Sequence, residues 1–401
     1  MLKIGVVVDN EFDHDHRVQK EIQLLLNQGH QICVLCFDFG DNYRHYSNFT
    51  VVRVKIPKKI KDLLVLLSTN FNFYEQFWVK SIAKFITNFE LNAIHTHDLY
   101  MSKATHLGIK KSNKKIPLIL DLHENYPAAI NSYQWATKGW RKYIVQPKKW
   151  YIKEASYLKY ADYLIVLSNS FKQNLISRYS FLATDAIFVN PNMPNLNSFK
   201  HFETQNLHVD YTSSLPTLFY FGVVAKRRGI LSILPWMASL LKEGLRFNLL
   251  IIGPVDKADK NEFTTLINSK DLKNNITYLP WADVKYLPAY LKKTQIGLAP
   301  FEVNAQHDSG VANKLFQYMY GEIPILATPC KAQKELIETN KCGLIYKDYK
   351  SFRRNLMLLL DKAYAHELGT NGKKELQNLY KNKEDQQFLK AYELIEKSYF
   401  K

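Results

Sequence analysis

Two successive series of alternating apolar strands and amphipathic helices restrict the fold of this chain more than any other feature. The first series predicts strands over residues 3–8, 31–37, 50–54, 93–96, 117–121, 163–167 and 186–189, and the second over residues 217–221, 247–252, 276–279, 296–299 and 323–327. Helices are predicted between most of them, for example over residues 17–27, 101–111, 230–242, 284–292 and 334–338. Buried strands that alternate with helices favour a parallel sheet covered on both faces. We therefore expect an α/β protein with two doubly wound domains that face each other across a cleft.

A turn-rich stretch separates the two series. Residues 190–195 read N-P-N-M-P-N, and the polar segment that follows them to about residue 214 lacks periodicity. We expect a first domain over residues 1–195, a linker over 196–215 and a second domain over 216–372. Residues 373–401 are predicted to be helical, and their apolar stripe would fit packing on either domain. The stripe consists of Phe388, Ala391, Tyr392, Ile395 and Tyr399.

The net charge of +17 favours polyanionic partners, such as nucleotide diphosphates, anionic lipid headgroups or nucleic acid. No zinc finger, RNA-binding signature or basic arm accompanies this charge, so nucleic acid is not expected. No apolar run approaches the roughly 18–20 residues that cross a bilayer. The first apolar run ends at Asp9, as a strand would, and does not resemble a signal peptide. We expect a cytoplasmic protein that is able to rest on the inner face of a membrane.

Cys33 and Cys36 form a C-x-x-C pair inside an apolar run. A redox pair of this kind normally opens a helix, where the dipole lowers a thiol pKa. On a strand, three-residue spacing points the two thiols to opposite faces. We expect buried core cysteines.

One stretch of the second series points to a ligand. Residues 310–324 read G-V-A-N-K-L-F-Q-Y-M-Y-G-E-I-P, which predicts a loop, a short helix that Gly321 ends, and a buried strand. Such a helix start presents free backbone N–H groups and a partial positive charge, which suit a diphosphate. Asn313 and Lys314 are expected to face this ligand.

A basic turn follows the first strand of the second series. Residues 221–229 read F-G-V-V-A-K-R-R-G, with Gly222 at the strand end. Gly222 lets a ligand approach the backbone, and Lys226 and Arg228 are suited to two phosphates. A solvated basic turn is the simpler alternative.

Taken in order, these motifs resemble the group 1 (family 4-like) glycosyltransferases, which are retaining enzymes of the GT-B fold with two Rossmann-like domains. N-K-L-F-Q-Y-M followed by G-x-x-P resembles their donor-site helix, and Arg228 takes the position of their phosphate-binding cation. In the first half, D-x-R-V-x-K-E, H-T-H-D and D-L-H-E resemble their opening segment and reaction-centre motifs. The resemblance is strongest over residues 9–30, 93–127, 217–232 and 276–346. It implies that the first domain binds an acceptor, that the second binds a nucleotide sugar and that the last helix crosses back to the first domain.

Two positions depart from the family pattern. The family usually has Glu where this chain has Gln317, and members often have an earlier Glu where it has Ser309. A carboxylate accepts two hydroxyl hydrogen bonds more strongly than an amide does, so the change at Gln317 bears on donor binding. The residues expected to bind the donor are Gly222, Lys226, Arg228, Ser309, Gly310, Asn313, Lys314 and Gln317.

Two strands of the first series end in histidine motifs. A doubly wound sheet binds its ligands at these strand ends. The resemblance implies that His123 lies at the reaction centre, and we expect Glu124 to be the second catalytic residue. His95 and His97 share one strand face, which permits a metal, but no cysteine or second acid at metal spacing supports one. No metal is therefore expected. The residues expected to contact the acceptor are Asp13, Arg17, His97, Asp98, Asn125 and Tyr126.

Asp13-His14-Asp15 has the form of the D-x-D motif that binds a metal and a nucleotide in the other glycosyltransferase fold. It directly precedes a predicted helix here, so a helix cap with an acceptor loop is the better interpretation. The absence of G-x-G-x-x-G after the first strand argues against NAD.

Aromatic and basic residues interleave over residues 135–159. A segment of this kind can rest at a lipid interface, and a basic helix with a packed aromatic side is an equal alternative. We hypothesise contact with an anionic membrane surface that carries a lipid-linked acceptor. The residues concerned are Trp135, Trp140, Tyr143, Trp150, Tyr151 and Tyr157, with Lys138, Arg141, Lys142, Lys148, Lys149, Lys153 and Lys159.

The chain is thus expected to be a retaining, metal-independent glycosyltransferase of the hexosyltransferase type. Its co-substrate would be a nucleotide-diphosphate sugar, with no other cofactor, and its acceptor a glycan or a lipid-linked glycan of cell-surface polysaccharide synthesis. Cationic groups would stabilise the leaving diphosphate. Two alternatives are a sugar-nucleotide 2-epimerase on the same scaffold and a non-catalytic nucleotide-sugar-binding relative, which Ser309 and Gln317 make conceivable.

Overall fold

A computed structural model describes residues 1–40, 43–137, 139–194, 199, 202, 213–382 and 384–399. The predicted linker falls mostly outside these residues. The chain forms two compact units, of which one consists of Met1–Asn192 with Asn382–Lys401 and the other of Met193–Lys381. Each unit holds one parallel sheet, as the strand–helix alternation predicts.

The first unit contains a seven-stranded parallel sheet in the order β3-β2-β1-β4-β5-β6-β7. Strand order reverses between β1 and β4, so the sheet is doubly wound, as predicted. The strands are β1 (Lys3–Val7), β2 (Gln31–Asp38), β3 (Thr50–Lys55), β4 (Ala93–His97), β5 (Leu118–Asp121), β6 (Tyr163–Val166) and β7 (Ile187–Val189).

Helices cover both faces of this sheet. Asp15 caps the first helix, because its carboxylate accepts a hydrogen bond from the Val18 N–H at 3.1 Å, which confirms the cap interpretation. The helices are α1 (His16–Asn27), α2 (Lys58–Leu67), α3 (Phe73–Phe89), α4 (Ser102–Lys111), α5 (Tyr126–Ser132), α6 (Gln134–Thr137), α7 (Arg141–Val145), α8 (Lys149–Leu158) and α9 (Asn169–Arg178).

The second unit contains a six-stranded parallel sheet in the order β10-β9-β8-β11-β12-β13, which reverses between β8 and β11. The strands are β8 (Thr217–Phe221), β9 (Asn248–Ile252), β10 (Ile276–Leu279), β11 (Ile296–Ala299), β12 (Ile325–Ala327) and β13 (Gly343–Ile345). The helices are α10 (Ile230–Lys242), α11 (Lys260–Ile267), α12 (Leu287–Leu291), α13 (Asn313–Tyr320), α14 (Lys331–Asn340), α15 (Tyr349–Leu359) and α16 (Lys362–Asn382).

The last helix, α17 (Glu384–Tyr399), belongs to the first unit. Four members of its predicted apolar stripe, Phe388, Ala391, Tyr392 and Ile395, are buried in the core that also contains residues of β1 and α1. The fifth, Tyr399, has a side chain that lies outside the described part. Burial of this stripe supplies the hydrophobic stabilisation that holds the tail in place.

Cys36 packs in the core on one face of the first sheet, and Cys33 packs against the core on the other. The prediction of opposite faces is confirmed, and all four cysteines are free. Among the described residues, no helix combines the length and the hydrophobicity that crossing a bilayer requires.

Candidate functional site

The predicted donor-binding residues gather where β8 and β11 end side by side. This pair is the switch point of the second sheet, and such a point opens a crevice beyond the carboxyl ends of the strands. β8 leads into Gly222, and β11 is followed by Phe301. Helix α13 is fixed to the same strands, because the Tyr318 hydroxyl lies 3.2 Å from the Phe219 carbonyl oxygen and 3.1 Å from that of Leu298.

The Lys314 side chain is buried beside Gly222. Its Nζ lies 3.5 Å from the centroid of the Tyr220 ring and 5.0 Å from that of Phe301. Among the described residues, no group forms a hydrogen bond with this ammonium group. Gly222 has a φ of 131°, and a Cβ built on it would lie 3.6 Å from Lys314 Nζ. Burial, and after it the charge of Arg228, hold the pKa of Lys314 well below its usual value.

Arg228 adds a second cation at the same place. Its guanidinium carbon lies 5.4 Å from the centroid of the Phe301 ring, so that both cations flank one aromatic side chain. The basic turn Lys226–Arg228 is a short 3-10 helix that Gly229 ends with a left-handed φ of 77°. A Cβ on Gly229 would come within 1.4 Å of the Pro300 carbonyl oxygen, so glycine is needed for the turn to lie this close to β11. The two cations together are suited to binding a diphosphate.

His307 lies against the same phenyl ring, with ring centroids 5.0 Å apart. Its Nδ1 is 2.7 Å from the Glu302 carbonyl oxygen, and its Nε2 is buried without a hydrogen-bond partner in the described part of the chain. Burial is the main reason that the pKa of His307 falls to about 4, and the charges of Arg228 and Arg227 add to it. The ring is therefore neutral at pH 7.

The other predicted donor residues lie around the start of α13. Asn313 is exposed and begins the helix, whose first turn has no side-chain cap. Gln317 follows one turn later and is buried. Gly310 has extended backbone, with a φ of −159°. The Ser309 hydroxyl donates to the Ala305 carbonyl oxygen at 2.6 Å. A helix start of this kind leaves backbone N–H groups for a ligand, and donor binding by these residues stays a prediction.

An acid of helix α11 binds the exposed side chain of Lys226. The Lys226 Nζ lies 2.6 Å from Glu262 Oε2, and the backbone N–H of Lys226 donates to Asp259 Oδ2 at 2.8 Å. Glu262 would compete with a diphosphate for this exposed ammonium group. Phosphate binding by Lys226 stays a prediction, and Arg228 and Lys314 are the better placed cations.

In the first unit, Arg17 on α1 holds the carboxylate at the end of β5. Its Nη2 donates to both oxygens of Asp121, at 3.0 and 2.8 Å, and its Nη1 donates to the Asn190 carbonyl oxygen at 2.9 Å. Its Nε lies 3.1 Å from Glu21 Oε1. Asp121 and Glu21 are both buried. The guanidinium therefore offsets negative charge that would be costly in the core. Acceptor binding by Arg17 stays a prediction.

Three histidines form a row from the core towards the surface. The His95 and His97 rings stack with centroids 4.3 Å apart, and His97 Nδ1 lies 2.8 Å from His123 Nε2. The Tyr392 hydroxyl lies 2.6 Å from His95 Nδ1. His95 and His97 are 1% exposed, whereas the His123 side chain is 20% exposed. His123 is thus the member of the row that is accessible to a substrate. His97 was predicted to contact the acceptor, and in the structure it is buried and orients the His123 ring.

Burial lowers the pKa of all three imidazoles. The pKa of His95 falls to about 4. That of His97 lies well below its usual value, through burial and then the charges of His95 and His123. Burial also outweighs the attraction of Asp121 and lowers the pKa of His123. At pH 7 the row is neutral, so each ring has one nitrogen that donates and one that accepts.

Acids follow the neighbouring strands β1, β4 and β5. Tyr133 donates to Glu124 Oε2 at 2.9 Å, and Tyr100 donates to Asp98 Oδ2 at 3.2 Å. Burial, then the charges of Glu124 and Asp9, raise the pKa of Asp98 well above its usual value. Burial also raises the pKa of Asp9 to about 6. Carboxyl groups in this arrangement are suited to the hydroxyl groups of a sugar.

The remaining predicted acceptor residues have partners inside the first unit. Asp13 Oδ2 lies 2.9 Å from Arg53 Nη1. Asn125 caps α5 with its side chain. The Tyr126 ring packs edge-on against Trp150, with centroids 4.7 Å apart. These contacts give each residue a structural role, and acceptor binding by them stays a prediction.

One group of described residues has the composition of a metal site. Glu21, His97, Asp121 and His123 each offer one ligand atom, and these atoms lie within 4.8 Å of one another. The sequence spacing did not reveal this group, because it joins α1 to the ends of β4 and β5. Arg17 already pairs with both of these acids, and its guanidinium would repel a divalent ion. We retain the prediction that the site works without a metal.

The sequence indicated no role in a site for Glu21, His307 or Tyr392. Glu21 lies four residues after Arg17, and this helical spacing is a usable signal for an ion pair. His307 stands just before the donor helix, where its position alone suggested no role. Tyr392 is 297 residues away from its partner His95, and no local pattern connects such residues.

Both halves of the chain match models of glycosyltransferase families. Residues 17–197 match the model described as Glycosyltransferase Family 4, and residues 210–375 match the model described as Glycosyl transferases group 1. A search among curated proteins finds no match.

Solved structures with the same fold include three whose chains align over nearly their whole length. Sucrose-phosphate synthase from Thermosynechococcus elongatus has a TM-score of 0.73 at 16% identity, over 100% of this chain and 99% of its own. The UDP-forming α,α-trehalose-phosphate synthase from Burkholderia vietnamiensis has a TM-score of 0.67 at 12% identity, over 99% and 100%. Anabaena HepE, in complex with UDP and glucose, has a TM-score of 0.65 at 11% identity, over 99% of both chains.

The two doubly wound sheets and these matches define a glycosyltransferase of the GT-B fold, as the sequence motifs indicated. More narrowly, the chain belongs to the group 1 glycosyltransferases.

Proposed function

We propose that this protein is a retaining glycosyltransferase that transfers a hexose from a UDP-sugar to a glycan or lipid-linked acceptor. The observation that carries the proposal is the buried Lys314 Nζ, which lies beside Gly222 and next to Arg228 without a hydrogen-bond partner in the described residues. A buried amine of this kind is best satisfied by an anion. Two proteins of similar structure are a UDP-forming trehalose-phosphate synthase and HepE in complex with UDP, which favours uridine as the base of the donor.

The cations would act on the leaving group. As the bond between the sugar and the diphosphate breaks, negative charge accumulates on the phosphate oxygens. Arg228 and Lys314 would stabilise this charge, and the burial of Lys314 would strengthen its contribution. Because the cationic side chains supply the positive charge, the reaction as proposed needs no metal ion.

His123 would orient the reacting sugar and the acceptor. It hydrogen bonds to His97 through Nε2, so Nδ1 is the ring nitrogen that would meet a sugar oxygen. The neutral ring neither repels the cations of a donor site nor protonates the leaving group. Glu124 and Asp98 would accept hydrogen bonds from acceptor hydroxyl groups. The acceptor hydroxyl would attack on the face that the diphosphate leaves and pass its proton to a phosphate oxygen, which retains the configuration.

The acceptor is proposed to belong to cell-surface polysaccharide or glycoconjugate synthesis, on the cytoplasmic side of the membrane. The surplus of positive charge over the chain, +17 in total, agrees with a location beside anionic lipid.

The test is release of UDP from a panel of UDP-sugars offered with a mixture of cell-surface glycans and glycolipids as acceptors, in the presence of EDTA. We expect one sugar to support turnover. Arg228→Ala and Lys314→Met should each lower kcat/KM about 10- to 100-fold, because each removes a charge-assisted contact to the diphosphate. Lys242→Ala, which removes an exposed lysine paired with Asp271, is the matched control and should retain full activity.

Other outcomes would support the alternatives. Binding of a UDP-sugar without release of UDP would favour a non-catalytic relative. Conversion of the free UDP-sugar into its epimer without an acceptor would favour a 2-epimerase. Loss of activity in EDTA that added Mg²⁺ or Zn²⁺ restores would overturn the metal-independent mechanism.

A further inference from the structure

The first unit exposes a group of large apolar side chains on neighbouring elements. Ile60 and Leu63 on α2 are 49% and 54% exposed, and Phe71 and Phe73, just after this helix, are 51% and 60% exposed. Trp140 and Tyr143, at α7, are 61% and 69% exposed. We call these six side chains together the α2–α7 surface. Single exposed apolar residues are ordinary, but a patch of them on one side of a protein indicates a binding surface.

Helix α2 is the centre of this surface. It has ten residues with the sequence K-K-I-K-D-L-L-V-L-L, and none of them is buried. A helix with six apolar residues normally buries an apolar stripe against its own protein. The hydrophobic side of α2 is therefore only partly covered by the first unit.

Hydrogen bonds join the turn that follows α2 to α7 and α8, and α2 itself lines a groove with α7, which places the six side chains on one face. Asn70 Nδ2 donates to the Ile144 carbonyl oxygen at 2.6 Å, and Lys149 Nζ donates to Asn70 Oδ1 at 3.1 Å. Leu63 and Arg141 line a common groove of about 440 Å³ between α2 and α7. The Phe71 and Phe73 rings stack with centroids 5.7 Å apart.

Basic residues surround these apolar side chains. Lys58 and Lys59 are exposed at the start of α2, and Arg141, Lys142 and Lys149 are exposed on α7 and α8. Within α2 the only acid is Asp62. The predicted basic-aromatic segment 135–159 contributes only in part, because Trp150 and Tyr157 are buried in the core.

We propose that the α2–α7 surface docks the first unit on a membrane that contains anionic lipid. Aromatic and aliphatic side chains would enter the interfacial layer, while the surrounding lysines and Arg141 would bind lipid phosphates. Apolar side chains bordered by exposed lysines and Arg141 match an anionic lipid surface better than a protein of average charge.

The inference deepens the proposed function, on which it rests for its biological purpose, because docking would bring a lipid-linked acceptor to the first unit. Lys61 connects the α2–α7 surface with the proposed acceptor site. It lies on the docking helix, and its Nζ is 3.7 Å from Asp9 Oδ2, next to the proposed acceptor acids. Docking itself requires no sugar transfer, so either proposal can be contradicted while the other one stands.

Flotation tests the surface directly. The full chain is mixed at physiological salt with vesicles of equal parts phosphatidylglycerol and phosphatidylcholine, and in parallel with vesicles of pure phosphatidylcholine. We expect the protein to float with the anionic vesicles only. Phe71→Ser/Phe73→Ser and Lys58→Glu/Lys59→Glu should each weaken binding by roughly tenfold or more.

Two matched controls keep the experiment decisive. Lys111→Glu/Lys114→Glu reverses two exposed lysines elsewhere in the first unit, and Trp281→Ser removes an aromatic side chain that is 71% exposed in the second unit. Both controls should float like the wild type, and every variant should keep the thermal unfolding midpoint of the wild type.

The proposal is overturned if the wild type stays with the unbound protein, or if the surface variants float as well as the controls. A wild type that dimerises in solution, with the Phe71→Ser/Phe73→Ser variant monomeric and neither bound to vesicles, would assign the surface to a second copy of the chain. Release of UDP in detergent-free solution would still test the proposed function in each of these cases.

Discussion

Lys314 shows how a local motif can identify a residue and still miss its environment. The sequence placed it at the start of the donor helix as a ligand-facing cation. In the structure its stem is buried, and its Nζ lies over the Tyr220 ring beside Gly222. Gln317 lies one turn further along the same helix and is also buried. At the position where the resemblance implies Glu, this chain therefore has a neutral side chain on the buried side of α13.

Arg17 provides a test at the same scale. Its guanidinium is the partner of two buried carboxylates, Asp121 and Glu21. Arg17→Met would leave these acids uncompensated, and we expect the free energy of unfolding of the first unit to fall by about 3–5 kcal/mol. Urea unfolding followed by circular dichroism measures this change.

Lys3→Met is the control for that experiment, because Lys3 and Glu90 form an exposed pair at 3.4 Å. Its effect should stay below about 1 kcal/mol. If Arg17→Met unfolded at the urea concentration of the wild type, the guanidinium would not be the charge partner that the structure indicates.

Among the elements, strands β8, β10 and β11 were predicted with the bounds that the structure has. Their apolar runs lie between turn residues and are long enough to be recognised locally. Strand β13 was not predicted, because Gly343–Ile345 is three residues long and none of them is fully buried. Its place in the sheet depends on pairing with β12, which no local pattern encodes.

The site could be predicted where its residues follow a strand or begin a helix within one motif. His123 and Arg228 are of this kind. The partners that fix their surroundings come from distant segments, such as Tyr392 behind the histidine row and Phe301 beside the two cations. These contacts depend on tertiary packing, which a motif does not contain.

Gly229 tests the basic turn as an element. A Cβ at this position would meet the Pro300 carbonyl oxygen at 1.4 Å, so Gly229→Ala must displace the turn or the end of β11. We expect the affinity for UDP to fall at least about tenfold, and the second unit to lose about 1–3 kcal/mol of stability. Titration calorimetry and thermal unfolding measure the two effects.

Gly244→Ala distinguishes the effect of a positive φ from the effect of the clash at Gly229. Gly244 also has a positive φ, of 94°, but its Cβ would meet no atom of the described residues within 4 Å. This variant should lose a smaller amount of stability and bind UDP like the wild type. Equal effects of both substitutions on UDP binding would contradict the role given to the basic turn.

At the scale of the whole molecule, each sheet reverses its strand order once, and the residues that we consider functional follow the strands at or next to this reversal. The first unit places neutral histidines and acids at β1, β4 and β5. The second places cations at β8 and β11. This division follows the chemistry of the two proposed substrates, because hydroxyl groups suit acids and imidazole, whereas a diphosphate requires positive charge.

The most direct test of this account is proton uptake when UDP binds. Burial, and after it the charge of Arg228, lower the pKa of Lys314 well below its usual value, so the amine loses its proton at a lower pH than an exposed lysine does. The negative diphosphate favours the ammonium form and raises this pKa, so binding must take up protons. Titration calorimetry at a series of alkaline pH values, in buffers of different ionisation enthalpy, should show proton uptake by the wild type that disappears in Lys314→Met. UDP binding with no proton uptake, or with the same uptake in Lys314→Met, would contradict the claim that Lys314 receives the diphosphate.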